Sequence, residues 1–168
     1  TGGHYDATHP AARFLAVELA KSTEPWIVVA SHFPMLSWSR QDKRGDLLAA
    51  MLPELTAHAV SLYLSGHDHC YQRFDANDGS PPLVVSGGGG KDLYEIVKAR
   101  LGPRPVVAAK VHHWGLAETR GRDLVVRVTD IDGKQVDQFV VPAPAGPALD
   151  RLGTENPGRA ARIRQLAQ

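Results

Sequence analysis

The sequence has a single cysteine, Cys70, so it cannot form an internal disulfide bond and leaves the redox compartment open. It has no apolar stretch approaching the roughly 20 residues that a membrane-spanning helix needs. The net charge is only +1, which gives no global attraction to nucleic acid or to an anionic membrane surface. We therefore expect neither a nucleic-acid nor a membrane partner. What is present is a globular composition: 168 residues, 43% hydrophobic and 22% charged, enough for one domain with a sizeable core.

The first part of the chain alternates between helical and extended patterns. Apolar side chains at helical spacing predict helices over residues 11–21 and 46–59. Two almost wholly apolar runs, residues 26–31 and 60–65, predict a buried strand after each helix. This order, with continuous apolar strands, is typical of a sheet that is covered by helices.

The second part of the chain changes to short extended segments separated by turns. The predicted strands are residues 71–74, 83–86, 114–118, 124–129 and 136–141. They indicate an antiparallel sheet, so the predicted fold class is α/β (α+β). A Pro-rich linker is expected at residues 142–147, and residues 157–168 are expected to form a short Arg-rich helix with a solvated surface. Residues 142–168 would thus be a linker and tail.

Histidines follow both buried strands. His32 comes directly after the first apolar run, and Gly66-His67-Asp68-His69 comes directly after the second. The carboxyl ends of strands in an open α/β sheet converge on one crevice, where ligands bind. We expect the glycine at 66 to let the backbone turn sharply as it leaves the strand. Because neutral imidazoles are typical ligands of first-row metals, the pattern predicts a metal site at His32, His67 and His69.

The same polar residues are open to other interpretations. His67 and His69 could instead be hydrogen-bonded turn residues, and His112 and His113 could be packing residues rather than groups near a substrate. Residues 86–91 are rich in glycine but lack the spacing of a phosphate-binding P-loop. The lone cysteine has no evident base to activate it, which argues against a cysteine nucleophile.

The octapeptide at residues 66–73, Gly-His-Asp-His-Cys-Tyr-Gln-Arg, resembles a known signature. That signature, Gly-His-x-His-x-Tyr-Glu-Arg, is typical of purple acid phosphatases within the calcineurin-like metallophosphoesterase superfamily. Residues 31–35, Ser-His-Phe-Pro-Met, are similar to the upstream His-x-Pro motif of the same group. Residues 86–90 are similar to its glycine-rich turn, and residues 132–139 to its closing hairpin. The resemblance covers about residues 11–141.

The resemblance implies a fold, a site and a reaction. The fold would be the carboxy-terminal half of a four-layer αββα metallophosphoesterase sandwich, with residues 1–141 as the carboxy-terminal part of the catalytic domain. The implied cofactors are two metal ions and no organic cofactor. The ions would be either iron paired with zinc or manganese, or two manganese ions. His32 and His67 would bind one ion and His69 the other. The residues implied near the substrate or behind the ligands are Asp68, Tyr71, Arg73, His112 and His113. The implied reaction is hydrolysis of a phosphate ester by metal-bound hydroxide. The sequence itself leaves the compartment unknown, and the resemblance implies a soluble protein that is secreted or periplasmic.

The motifs that supply the other metal ligands of this family do not occur in the sequence. These are Asp-x-His, Gly-Asp-x-x-Asp and Gly-Asn-His-Asp or Gly-Asn-His-Glu, and within the octapeptide Gln72 replaces an acid. Three neutral imidazoles bring no negative charge to offset two multivalent cations. We therefore expect the amino-terminal half of the enzyme to come from another chain or from a segment outside these residues. The alternative is a non-catalytic subunit or binding module with a mononuclear or degenerate three-histidine site.

Overall fold

The computed structural model describes residues 4–39, 45–75, 79–97 and 103–166, and these ranges contain four helices and two β-sheets. The helices are α1 (Pro10–Lys21), α2 (Gly45–Ala57), α3 (Gly146–Glu155) and α4 (Pro157–Gln165). The strands are β1 (Val28–Ser31), β2 (Leu62–Ser65), β3 (Tyr71–Phe74), β4 (Leu83–Ser86), β5 (Val107–Ala109), β6 (His113–Arg120), β7 (Asp123–Asp130) and β8 (Gln135–Pro142). Within the described ranges, every helix is too short or too polar to cross a bilayer.

The first sheet brings the ends of its parallel strands to one edge. Its strand order is β1-β2-β4-β3-β5; β1, β2 and β4 are parallel, and β3 is antiparallel to both β4 and β5. Ser31 pairs with Ser65 in the β1–β2 register, so the residues after these two strands leave the sheet side by side. The second sheet, β6-β7-β8, is antiparallel, with an irregularity between Val128 and Thr129.

Apolar side chains cover both faces of the first sheet. On one face, helices α1 and α2 pack on β2 and β4; this cluster includes Leu15, Leu19, Met51, Leu55, Tyr63 and Val85. On the other face, the two sheets pack against each other; this cluster includes Leu62, Tyr71, Val84, Leu124, Val126 and Phe139. The resulting layers are helices, sheet and sheet. The predicted mixed α/β class, with two sheets and helices, is confirmed.

The strand that precedes His32 lies at the edge of the first sheet. In the described ranges β1 has β2 as its single neighbour. Its side chains alternate between exposed and half-buried, and Val28 is 46% exposed. By contrast, β2 lies between β1 and β4 and is almost fully buried. One side of β1 is therefore open to a further strand.

The carboxy-terminal tail packs onto the body of the protein. The expected linker ends in α3, a helix that the sequence pattern did not predict, and α4 follows at Pro157–Gln165. The last two residues of the predicted helix, 167–168, lie outside the described ranges. The expectation of a solvated tail helix is wrong for one face of α4, because Arg159, Ala160 and Ile163 are buried. That face contacts the segments that lead into β1 and β2.

Candidate metal centre

The turn after β2 is made by His67 rather than by the glycine before it. His67 has a φ of 60°, in the left-handed region where non-glycine residues are uncommon. Gly66 has no positive φ, and a Cβ there would lie 3.8 Å from the His32 carbonyl oxygen, an ordinary contact. The expected need for glycine at this position is therefore wrong. Backbone conformations of this kind in non-glycine residues cluster at functional sites.

The imidazoles of His32 and His67 lie against each other. His67 Nδ1 is 3.1 Å from His32 Nε2, and the two ring planes are inclined by 79°. The loops that carry them are joined by a hydrogen bond from the Gly66 N–H to the His32 carbonyl at 3.1 Å. The Phe33 ring packs on His67 at 4.7 Å between centroids. The parallel register of β1 and β2 thus brings together two of the three predicted ligands.

His69 is held separately by the loop that follows β4. Its Nδ1 lies 2.8 Å from the Asp92 carbonyl oxygen, and its ring stacks on Tyr94 with centroids 4.1 Å apart. A carbonyl oxygen can only accept a hydrogen bond, so Nδ1 carries the proton. In the neutral ring, Nε2 then holds the lone pair that binds metals.

The histidine nitrogens of this chain have the chemistry and the spacing that a metal ion needs, but there are too few of them to complete a site. Zinc–imidazole bonds of about 2.0–2.1 Å place two nitrogens on one ion about 3–3.5 Å apart, which suits the His32–His67 pair. Across residues 4–39, 45–75, 79–97 and 103–166, no group of three or more His, Cys, Asp or Glu side chains could hold a metal ion. The three histidines therefore form an incomplete donor set.

Asp68 lies between the two histidines of the turn but points into the protein. Its side chain is 1% exposed, and its Oδ2 accepts a hydrogen bond from Ser37 Oγ. Its Oδ1 has no hydrogen-bond partner among the residues that the structure describes. Gln72 joins the same buried network, since its Nε2 donates to Ser37 at 3.1 Å and its Oε1 accepts from the Trp38 N–H at 2.7 Å. These contacts fix the loop after β1 beneath the turn after β2.

Tyr71 and Arg73 lie in the interface between the two sheets, together with Asp137 of β8. The Tyr71 hydroxyl and Arg73 Nε both donate to Asp137 Oδ2, each at 2.7 Å. Arg73 also pairs with Asp75, and its guanidinium lies 4.7 Å from the centre of the Phe139 ring. Burial, followed by the bond to the Asp137 carboxylate, raises the pKa of Tyr71, which keeps its hydroxyl as a donor. Both side chains are in contacts that hold the sheets together.

The His112–His113 pair packs against the glycine-rich turn after β4. His113 is buried, its Nδ1 donates to the Val111 carbonyl at 3.1 Å, and its Nε2 accepts from Ser86 Oγ at 2.9 Å. Burial lowers the pKa of His113, which favours the neutral ring. His112 is half-buried and its Nδ1 donates to the Gly88 carbonyl at 3.2 Å. These contacts make His113 a packing residue of the loop that also holds His69.

Comparison with known proteins finds relatives of part of this chain among acid phosphatases. No protein-family model matches the chain. Purple acid phosphatase 4 of Arabidopsis thaliana is 35% identical over 77 residues, which are 46% of this chain and 23% of that protein. Tartrate-resistant acid phosphatase type 5 of Sus scrofa is 38% identical over 72 residues, which are 43% of this chain and 21% of that protein. The chain thus spans about a fifth of the length of these curated relatives.

Solved structures extend the likeness to the fold. Purple acid phosphatase PPD1 from yellow lupin (Lupinus luteus) seeds matches 82% of this chain and 29% of its own, with a TM-score of 0.68 and 18% identity. The chain is similar to the carboxy-terminal portion of purple acid phosphatases. A second structure, GAP50, described as the anchor in the inner membrane complex of Plasmodium, matches 94% of this chain and 48% of its own. Its TM-score is 0.71 at 17% identity, so it shares the fold.

The sequence interpretation missed three residues of this purple acid phosphatase-like portion. Asp92 and Tyr94 hold His69, and Asp137 binds the side chains of Tyr71 and Arg73. Asp137 could have been noticed as an acid that shares the β8 face of Phe139 and Val141, which the sequence predicts to be buried. The sequence carries no comparable signal for Asp92, because it contributes its backbone carbonyl.

Proposed function

We propose that this chain supplies His32, His67 and His69 to a dinuclear metal centre that hydrolyses phosphate esters. The observation that carries the proposal is the 3.1 Å approach of the His32 and His67 ring nitrogens at the ends of two adjacent parallel strands. His69, with Nδ1 donating to a backbone carbonyl and Nε2 left to bind, is suited to the second ion. Likeness to purple acid phosphatases supports both the metals and the ester substrate.

Each residue would have a distinct role in such a centre. When bound, a pair of metal ions clamps a phosphate ester and provides a nucleophile near neutral pH. His32 and His67 would hold one ion, with Phe33 against the His67 ring to limit its rotation. His69 would hold the other, and the buried Asp68 would anchor the turn that carries both His67 and His69.

The remaining ligands would come from an amino-terminal half, as another chain or as a segment outside these residues. Neutral imidazoles cannot offset the charge of two cations, so carboxylates must be added. The open side of β1 supports this part of the proposal, because an added strand there would bring its own end beside His32. An unpaired strand edge is also the kind of surface that folded proteins cover.

Removing single imidazoles from the intact assembly tests this function. We expect wild-type protein to contain two metal ions and to hydrolyse p-nitrophenyl phosphate. His67→Ala and His69→Ala should each bind less metal than wild type. Their activity should fall by at least about 10- to 100-fold, which is the loss seen when a residue that only hydrogen-bonds a metal ligand is removed. His4→Ala is the matched control, since His4 lies exposed on the amino-terminal segment. Unchanged activity in both site variants would remove the enzyme assignment.

A second candidate is a binding module with one metal ion or none. Two observations favour it: the described residues contain no three-ligand cluster, and the same fold occurs in a protein described as an anchor. The two candidates differ in metal stoichiometry. Two ions per assembled protein support the hydrolase, whereas one ion or none, with no turnover of p-nitrophenyl phosphate, supports the binding module.

A further inference from the structure

We propose that Tyr94 and Gly87, both in the loop that follows β4, are positioning residues that fix the imidazole of His69 for metal binding. The inference rests on the proposed function, because it assigns these residues a role toward the same site. Neither residue is needed as a ligand. Their contribution is to set the tautomer and the direction of one ring.

Tyr94 holds His69 at both its ring and its backbone. The two rings are nearly parallel, inclined by 25°, with centroids 4.1 Å apart. The Tyr94 N–H also donates to the His69 carbonyl at 2.9 Å. Two contacts from one residue restrict both the position of the His69 Cα and the plane of its ring.

The same loop sets the tautomer of His69. The Asp92 carbonyl accepts the Nδ1 proton at 2.8 Å, which leaves the lone pair on Nε2. This bond requires the ring to lie in the plane that Tyr94 imposes by stacking. If the His69 ring were free to rotate, it would lose its hydrogen bond to the Asp92 carbonyl and would populate both tautomers.

Gly87 lets the loop approach the backbone of the histidine turn. A Cβ at this position would lie 2.1 Å from the Asp68 carbonyl oxygen and 3.3 Å from the His69 nitrogen. The Gly87 N–H donates to the Cys70 carbonyl at 3.1 Å, so the approach is fixed by a hydrogen bond. Any side chain at 87 must therefore move the turn or the loop. At Gly89, two residues further on, a Cβ would meet nothing within 4 Å.

The tautomer of His69 in metal-free intact protein provides the first test. Long-range proton–nitrogen NMR spectra, recorded where the imidazole is neutral, should show a single Nδ1–H form in wild type. Tyr94→Leu should give a mixture of tautomers and lose the ring-current shift of the His69 protons. Tyr94→Phe, which keeps the stacking ring, should restore both signals. A Tyr94→Leu protein with wild-type His69 signals would overturn the inference.

Zinc affinity, measured by competition with a chelator, provides the second test. Tyr94→Leu should weaken binding about 3- to 10-fold, the contribution of one aromatic pair, and Tyr94→Phe should restore it. Gly87→Ala should weaken zinc binding about 10-fold or more, whereas Gly89→Ala should match wild type. Wild-type protein that fixes the tautomer but binds no zinc would overturn the proposed function. Normal zinc affinity in both Tyr94→Leu and Gly87→Ala would overturn the positioning role instead.

Discussion

Replacing Arg159 by methionine is expected to lower the free energy needed to detach α4 from the rest of the protein by about 3–5 kcal/mol, because several backbone carbonyls lose their donor. Arg159 is 1% exposed, and its guanidinium donates to backbone carbonyls on both segments that enter the first sheet. Before β1 it bonds Glu24 at 2.9 Å and Pro25 at 3.2 Å; before β2 it bonds Ala59 at 2.8 Å and also His58. Burial lowers the pKa of Arg159 to about 10, which still leaves it charged at neutral pH.

The loss is large because methionine fills the space but donates no hydrogen bond. Four partly buried carbonyls would be left without this donor. A fully buried group of this kind costs about 1–3 kcal/mol before relaxation, so the sum over four partly buried ones stays within a few kcal/mol. Lysine is not an adequate replacement, because its single ammonium cannot reach carbonyls on both sides as the planar guanidinium does.

Native-state hydrogen exchange of the intact protein measures this prediction. Amides in α4 and in the segment around Ala59 should exchange much faster in Arg159→Met than in wild type. Arg162→Met is the control on the same helix, since Arg162 makes an exposed ion pair with Glu24 at 3.0 Å. Such pairs contribute about 0–1 kcal/mol. Equal protection in the two variants would contradict the role of Arg159.

Replacing Asp137 by alanine should destabilise the packing of the two sheets by about 3–5 kcal/mol. The side chains of Tyr71 and Arg73 both donate to this carboxylate, and all three residues are buried. Without it, the acidic partner left to Arg73 among the described residues is Asp75, whose side chain is 50% exposed, and the Tyr71 hydroxyl loses the Asp137 acceptor. A buried charge without its partner is among the most costly changes in a core.

Replacing Asp137 by asparagine separates the contribution of the side chain's shape to stability from the contribution of its charge. Asp137→Asn keeps an acceptor oxygen of the same size, so it should lose less stability than Asp137→Ala. Asp132→Ala, at the exposed turn between β7 and β8, should change stability by no more than about 0.5 kcal/mol. Denaturant midpoints of the intact protein rank the variants, and an Asp137→Ala midpoint equal to that of Asp132→Ala would contradict the proposed inter-sheet contact.

Elements whose residues have a strong local pattern could be predicted from the sequence. Strands β3 and β4 have the predicted bounds, and the three strands of the second sheet extend the predictions by one or two residues at their ends. Strand β5 has only three residues and was missed, since its pairing with β3 rather than its composition makes it a strand. Helix α3 was missed because Pro147 indicated a linker, although proline suits the first turn of a helix.

The candidate site could be predicted where it depends on strand order, and not where it depends on tertiary contacts. The approach of His32 to His67 follows from two neighbouring parallel strands, which the apolar runs indicate. The inward direction of Asp68 and the pairing of Arg73 with Asp137 depend on residues distant in sequence. Such contacts cannot be predicted from the residues that lie nearby in the sequence.

The two sheets also differ in how far apart their paired residues are along the chain, which bears on folding kinetics. Every pairing in β6-β7-β8 joins neighbouring strands through a short turn, whereas β1 meets β2 only after the whole of α2 has been passed. Closing the longer loop costs more entropy before any contact forms. The hairpin sheet is therefore expected to form early, and the sheet that carries the histidines to be completed late in folding.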